Sequence, residues 1–185
     1  MFDQKTLYKK KGVLLMLNKS LFITLEGIEG TGKSTLIAAL ADSIEKKGID
    51  VIKTREPGGC KAAELIRNII LDNHDIDFDF KTELLLMYAA RNQHIEQVIN
   101  PALREGKVVL CDRYFDASHA YQGYGRMLDL EFINMLDKFV LVNSIPDLTL
   151  LLDADVNLCL SRISKRKNKD RFDSESIEFF SKVRA

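Results

Sequence analysis

The chain has no excess of either charge: 27 lysines and arginines balance 27 aspartates and glutamates over 185 residues. Nothing global therefore draws it to nucleic acid or to an anionic membrane, and its partners must be recognised locally. Cysteine is scarce, with Cys60, Cys111 and Cys159 widely separated and outside any Cys-x-x-Cys spacing. An odd, scattered set argues against disulfides or a zinc site and for thiols in a reducing cytoplasm. His74, His94 and His119 make no metal-ligand spacing either. No apolar run is long enough to span a bilayer. Lys9-Lys10-Lys11 is followed by only five apolar residues, Val13 to Leu17, too few for a secretory core. There is no repeat and no low-complexity segment, and the length suits one α/β domain rather than two.

What is present is an alternation of short apolar runs with helical patterns, the signature of a parallel sheet covered on both faces. The pattern predicts strands near 21–26, 50–54, 107–111 and 147–152. It predicts helices near 33–47, 61–72, 81–100, 129–142, 155–164 and 174–183. Pro101 predicts a break after Asn100, because the residue before proline avoids the helical region. Residues 165–173, charged and free of glycine, read as a surface loop or lid between two helices.

The most specific motif follows the first strand. Gly27-Ile28-Glu29-Gly30-Thr31-Gly32-Lys33-Ser34-Thr35 is a Gly-x-x-x-x-Gly-Lys-Ser phosphate-binding loop in the strand-loop-helix setting such loops require. All nine residues are expected to surround the phosphates of ATP. Backbone N–H groups and the positive helix N-terminus cradle the anion, Lys33 reaches the β/γ-phosphates, and Ser34 ligates magnesium. No Asn-Lys-x-Asp guanine-reading motif occurs, which argues against a GTPase switch.

Ligands of open parallel sheets bind beyond the carboxyl ends of the strands. Those positions hold the phosphate loop, Thr54-Arg55-Glu56-Pro57-Gly58-Gly59, Asp112-Arg113-Tyr114 and Asp153-Ala154-Asp155. Arginines, acids and a phosphate loop on one edge point to a site for two anionic ligands. The apolar run Val108 to Cys111 ending in Asp112 has the form of a strand whose acid holds magnesium, directly or through water. In the 81–100 helix, Arg91 interrupts the apolar stripe of Leu84, Tyr88, Ile95 and Val98. A guanidinium there either pairs with a carboxylate of the protein or awaits an anionic ligand.

Taken in order, the phosphate loop, Thr54-Arg55-Glu56-Pro57-Gly58-Gly59, Tyr88-Ala89-Ala90-Arg91, Asp112-Arg113-Tyr114 and Ala120-Tyr121-Gln122-Gly123 resemble the bacterial thymidylate kinase family from about residue 18 onward. The resemblance implies a three-layer P-loop fold with strand order 2-3-1-4, and transfer of the ATP γ-phosphoryl to dTMP for dTTP synthesis. It implies that Arg91 and Arg113 hold the dTMP phosphate, with Arg55 lining the same pocket. It places Ser118, Tyr121 and Gln122 against thymine and deoxyribose, Tyr121 selecting against a 2′-hydroxyl, and Glu29 beside the acceptor sugar. It also implies a cytoplasmic homodimer, with the apolar face of the 129–142 helix as one contributor.

The resemblance has departures. Met87 stands where the family usually stacks a phenylalanine on thymine. The phosphate loop has no arginine, and in that branch of the family a lid arginine supplies transition-state charge; Arg166 is the first candidate, with Arg162 and Arg171 behind it, in a lid at 162–173. Residues 1–17 precede the usual start and are expected to be a disordered tail or a misassigned start. The family continues past the helix after the lid with an edge strand and a final helix, so a fifth strand is expected to be missing and the chain to be a fragment. A deoxynucleoside kinase and a non-catalytic nucleotide-binding remnant are the competing readings; three arginines argue for a phosphate on the acceptor.

Overall fold

The computed structural model describes residues 20–71, 78–166 and 170–185. The expected extension at 1–17, His74, and residues 167–169 in the middle of the expected lid lie outside them. Four strands, β1 (Leu21–Glu26), β2 (Val51–Arg55), β3 (Val108–Asp112) and β4 (Leu148–Leu151), form one parallel sheet in the order β2-β3-β1-β4. The order is the expected 2-3-1-4. Leu21 registers with Val108 and Leu25 with Asp112, while Ile23 registers with Leu148 on the other side.

The inner strands are apolar throughout because both their faces are covered. Alternate residues point to opposite layers: Leu25, Val108 and Leu110 pack under α1 (Lys33–Glu45) through Ile37 and Ala41. Phe22, Val109 and Cys111 face the other layer, built from α3 (Phe80–His94) and α6 (Leu130–Val140) through Leu84, Tyr88 and Ile133. Tyr114 joins this second core, edge-on to Phe22 at 4.9 Å and donating its hydroxyl to Ser144 O at 3.0 Å. Truncating Phe22 to alanine in so closed an environment costs about 3–5 kcal/mol. A third cluster, Ile28, Met87, Tyr121, Cys159, Phe172 and Phe179 among others, packs at the carboxyl end of the sheet, where α7 (Val156–Ile163) and α8 (Ile177–Arg184) meet the phosphate loop. β4 is an outer strand with Leu148 and Leu151 exposed.

Pro101 does not break the chain as expected. After α3 the helix widens to a π-helical segment at Ile95–Ile99 and continues as α4 (Asn100–Arg104), with Asn100 still at φ −61°, ψ −43°. The wide turn makes room for the ring, and Pro101 sits in the first turn of the next segment, where a missing N–H costs nothing. A second element went unforeseen: α5 (Phe115–Ser118) runs into a π-helical segment at His119–Gly125, its glycines at 123 and 125 having masked a helical signal. The remaining helix, α2 (Lys61–Leu71), lies where the pattern predicts it. The final helix starts later than predicted, at Ile177, because Ser176 caps it by accepting from Phe179 N at 3.1 Å and Phe172–Ser174 forms a separate 3₁₀ turn. Among the described residues no helix is long and apolar enough to cross a membrane.

Candidate active site

The carboxyl ends of the strands open into one cavity of about 1030 Å³. Most residues expected in the site line it; Gly27 and Ile28 form the floor of the loop behind Lys33. Arg171 and the strand-end acids do not line it, Asp153 pairing with Arg184 and Asp155 capping α7 through Leu158 N. That volume is at the upper end for a single small-molecule pocket and suits two ligands side by side.

The donor half is built by β1 running into α1. Gly27 holds φ +133°, and a Cβ there would lie 2.2 Å from Leu152 O at the end of β4, so only glycine closes this turn against the sheet. Lys33, nearly buried, donates to Gly27 O at 2.9 Å and Ile28 O at 3.1 Å, with Asp112 Oδ1 3.9 Å away. Burial, helped by the nearby Arg113 charge, pulls its ammonium down to about 8 against the attraction of Asp112, Glu29 and Glu26. Ser34 Oγ donates to Asp112 Oδ2 at 3.1 Å. A hydroxyl and a carboxylate beside a phosphate loop are the hard oxygen donors that magnesium prefers, so this pair fits the metal.

The other side of the cavity, where the acceptor is expected, is built by the ends of β2 and β3 with α3 and α5. Arg113 is held in the left-handed region at φ 70°, its N–H bonded to Leu25 O at 3.0 Å, and the next N–H, of Tyr114, goes to Glu26 Oε1 at 2.7 Å. Glu26 is buried, and that burial raises its carboxyl to about 7 although Arg113 and the Tyr114 N–H oppose the shift. A non-glycine residue in this conformation stores backbone strain of about 1–3 kcal/mol, retained here because four bonded groups over-determine the turn. The Arg113 guanidinium donates to Glu29 Oε1 at 2.8 Å and to Tyr121 Oη at 2.9 Å, and lies 4.8 Å over the Tyr121 ring. Burial works to raise the Glu29 carboxyl, but Arg113 and the Tyr121 hydroxyl outweigh it and hold it below the usual range.

Of the two alternatives its spacing left open, Arg91 takes up the first, pairing with a carboxylate of the protein. Its Nε donates to Glu56 Oε2 at 2.7 Å and its Nη2 to Tyr114 O at 2.9 Å and Ser118 Oγ at 3.1 Å. Its Nη1, fully buried, has no partner among the described residues, and the side chain lines the cavity. Three donors fix the plane and the two on Nη1 are unmatched. Arg55 is looser, half-exposed and bonded to Glu64 Oε2 at 3.1 Å. Met87 is buried beside Tyr121 and Phe172. Gln122 donates its amide to buried Glu83 at 2.7 Å, so its orientation is set from behind.

The chain's sequence matches the family model described as thymidylate kinase over residues 25–185. It belongs to the thymidylate kinase family. A thymidylate kinase of Ectopseudomonas mendocina (strain ymp) is 52% identical over 164 residues, 89% of this chain and 78% of that protein. One from Ruthia magnifica subsp. Calyptogena magnifica is 48% identical over 168 residues, 91% of this chain and 82% of that protein. The crystal structure of thymidylate kinase from Ehrlichia chaffeensis superposes with a TM-score of 0.72 at 36% identity, covering 90% of this chain and 81% of that one.

In this family member the three lid arginines divide. Arg171 is committed to the fold, paired with Glu83, bonded through Nε to Ile70 O at 3.1 Å and stacked 5.1 Å from Phe172. Arg162 donates to Gly30 O of the phosphate loop at 2.7 Å. Arg166, half-exposed and 3.4 Å from Asp173 Oδ1, lines the cavity with the loosest attachment of the three. Sequence reasoning missed several residues at the wall. Arg67 lines the cavity and donates to Pro57 O at 2.6 Å, but belongs to no motif. Glu56 stood inside a quoted motif with no role assigned, though a glutamate before Pro-Gly-Gly at a strand end was the available signal. Glu83, which gathers Gln122, Arg171 and Arg126, is a lone acid in an ordinary helical pattern and gave none.

Proposed function

We propose that this chain is an ATP-dependent kinase that transfers the γ-phosphoryl group to dTMP, giving ADP and dTDP for dTTP synthesis. A dTMP phosphate oxygen forms the new bond to the γ-phosphorus as the bond to the β-phosphate bridging oxygen breaks. The observation that carries this reading is the convergence of the phosphate loop with Arg91 and Arg113 on one cavity: one phosphate cradle and two guanidinium groups for a second anion. A nucleoside acceptor has no charge to match them.

The residues divide the work as follows. Residues 27–35 hold the ATP phosphates and Lys33 neutralises their charge. Ser34 and Asp112 hold magnesium, which supplies further charge neutralisation on the phosphoryl oxygens. Arg113 and Arg91 hold the acceptor phosphate, with Arg55 lining the same pocket, because planar guanidinium forks grip phosphate oxygens bidentately. Ser118, Tyr121, Gln122 and Met87 surround its base and sugar, and Glu29 stands beside the sugar hydroxyl. Arg166 completes the charge on the transferred group from the lid. The outward face of α6, with Phe132, Met135 and Phe139 exposed, supports a homodimer packed through that helix. The three unpaired cysteines support a cytoplasmic setting.

A coupled assay with ATP, magnesium and each of dTMP, dUMP and thymidine tests the reading. Transfer to dTMP is expected; transfer to thymidine alone would overturn it in favour of a deoxynucleoside kinase.

A further inference from the structure

Behind Arg91 lies a second row of polar groups, Glu56 at the cavity wall with His94 and Thr54 behind it. Glu56 uses one carboxylate oxygen for Arg91 Nε at 2.7 Å and the other for His94 Nδ1 at 2.9 Å. His94 is wholly buried, and its Nε2 lies 2.6 Å from Thr54 Oγ1 on β2. Arg91 and His94 are three residues apart on α3, so both reach the same carboxylate from one helix face. With Glu56 charged against Arg91 it can only accept, so His94 Nδ1 carries a proton and donates. In a neutral imidazole Nε2 then accepts from the Thr54 hydroxyl.

The chain is built to admit this imidazole. Gly59 holds φ +89°, and a Cβ there would lie 2.4 Å from His94 Nε2 and 2.5 Å from Thr54 Oγ1. The loop after β2 therefore closes directly on the ring, and glycine is the residue that permits it. Glu56 itself is anchored at the backbone, its N–H bonded to Asp112 O at 2.9 Å. Arg91 Nη1 is the exception in the row, its two N–H groups buried without a hydrogen-bond partner among the described residues.

We propose that His94, with Thr54 behind it, is a positioning residue for acceptor binding: it fixes the Glu56 carboxylate and through it the plane of Arg91. The proposal rests on the acceptor assignment of Arg91 made above. Without the His94 donor, one oxygen of a buried carboxylate loses its partner and Glu56 is free to turn, carrying the guanidinium away from its aim. A hydrogen bond to a charged group of this kind is worth about tenfold in an affinity that depends on it. The effect falls first on the acceptor, since among the described residues no side chain of the row is hydrogen-bonded to the phosphate loop; Glu56 reaches that side only through its backbone N–H on Asp112 O.

The test compares wild type with His94→Phe, His94→Asn and Thr54→Val, measuring dTMP Kd by calorimetry, then dTMP KM, ATP KM and kcat. His94→Phe is expected to raise dTMP Kd and KM by about tenfold or more, with ATP KM and kcat at saturating dTMP within about threefold. His94→Asn, whose amide can donate from the Nδ1 position, is expected to return dTMP Kd to within about threefold of wild type. If His94→Phe fails to fold, Thr54→Val decides, with a rise of about threefold or more in dTMP Kd at unchanged ATP KM. The proposal is overturned by an unchanged dTMP Kd in the variant that decides, by dTMP and ATP affinities falling together, or by His94→Asn binding no better than His94→Phe. A wild type that binds dTMP but phosphorylates only thymidine contradicts the proposed function and leaves the Kd comparison decisive. One that binds no dTMP contradicts both.

Discussion

Arg113 and Glu29 join the two halves of the cavity: the guanidinium on the turn after β3 lies 2.8 Å from the carboxylate on the phosphate loop. The Tyr121 hydroxyl closes the triangle, donating to the other Glu29 oxygen at 2.5 Å. The phosphate loop and the turn after β3 are thus held in register by one ion pair, largely shielded from solvent. Replacing Arg113 by lysine keeps the charge but loses the fork. It is expected to lower kcat/KM for dTMP about a hundredfold, about 3 kcal/mol, with ATP KM changed less than about threefold. Steady-state kinetics with each substrate varied in turn gives the answer.

The lid arginines are expected to separate by readout. Arg166→Ala should lower kcat on the order of 10³-fold while leaving thermal stability unchanged, since its side-chain partner among the described residues, Asp173, is at 3.4 Å and it is half-exposed. Arg171→Ala should instead lower the melting temperature, because it removes a cation from the buried Glu83 carboxylate, at about 3 kcal/mol. A kcat loss below tenfold in Arg166→Ala would remove it from the transition-state role.

Lys33 titrates near 8 in the free protein. Between about 8 and the ordinary lysine value the unfolded chain holds a proton the folded one lacks, so this group's unfavourable contribution fades as pH rises through that window. Nucleotide phosphates favour the charged ammonium, so ATP binding at pH 8.5 is expected to take up a fraction of a proton. Calorimetry in buffers of different ionisation enthalpy measures it; no uptake in wild type, or the same uptake in Lys33→Met, would contradict the assignment.

Glu26 shifts the other way. Its raised value, about 7, means the folded state binds the extra proton between about 4.5 and 7, so stability contributed by this group is present at low pH and lost as pH rises through 7. Glu26→Gln keeps an acceptor for the Tyr114 N–H and is expected to flatten that slope, gaining up to about 3 kcal/mol at pH 8. Denaturant midpoints for both proteins at pH 5 and pH 8 test the sign.

The parts of the fold written in local pattern were legible from residues alone. The apolar runs at β1 and β3 and the Gly-Lys-Ser spacing place the loop, the sheet and Asp112 because strand period and turn chemistry act over a few residues. Pro101 misled because the rule it follows is local while the remedy, a π-helical widening at Ile95–Ile99, is a packing event. Gly123 and Gly125 hid a helical segment for the same reason: propensity opposed it, and burial of Tyr121 and Gln122 overrode propensity. Glu83, Arg67 and His94 act through partners 39, 10 and 38 residues away, Gln122, Pro57 and Glu56, and no spacing rule marks such partners. Arg91 was half legible, since an arginine in an apolar stripe demands a partner, and Glu56, 35 residues away, supplies the carboxylate.

The most direct test of the central claim is the acceptor assay with purified protein, ATP and magnesium, following ADP release and identifying the phosphorylated product. The account predicts dTDP from dTMP and no phosphorylation of thymidine, with the dTMP activity falling in Arg113→Lys. Phosphorylation of thymidine without dTDP formation, or nucleotide binding with no transfer to either, would contradict it.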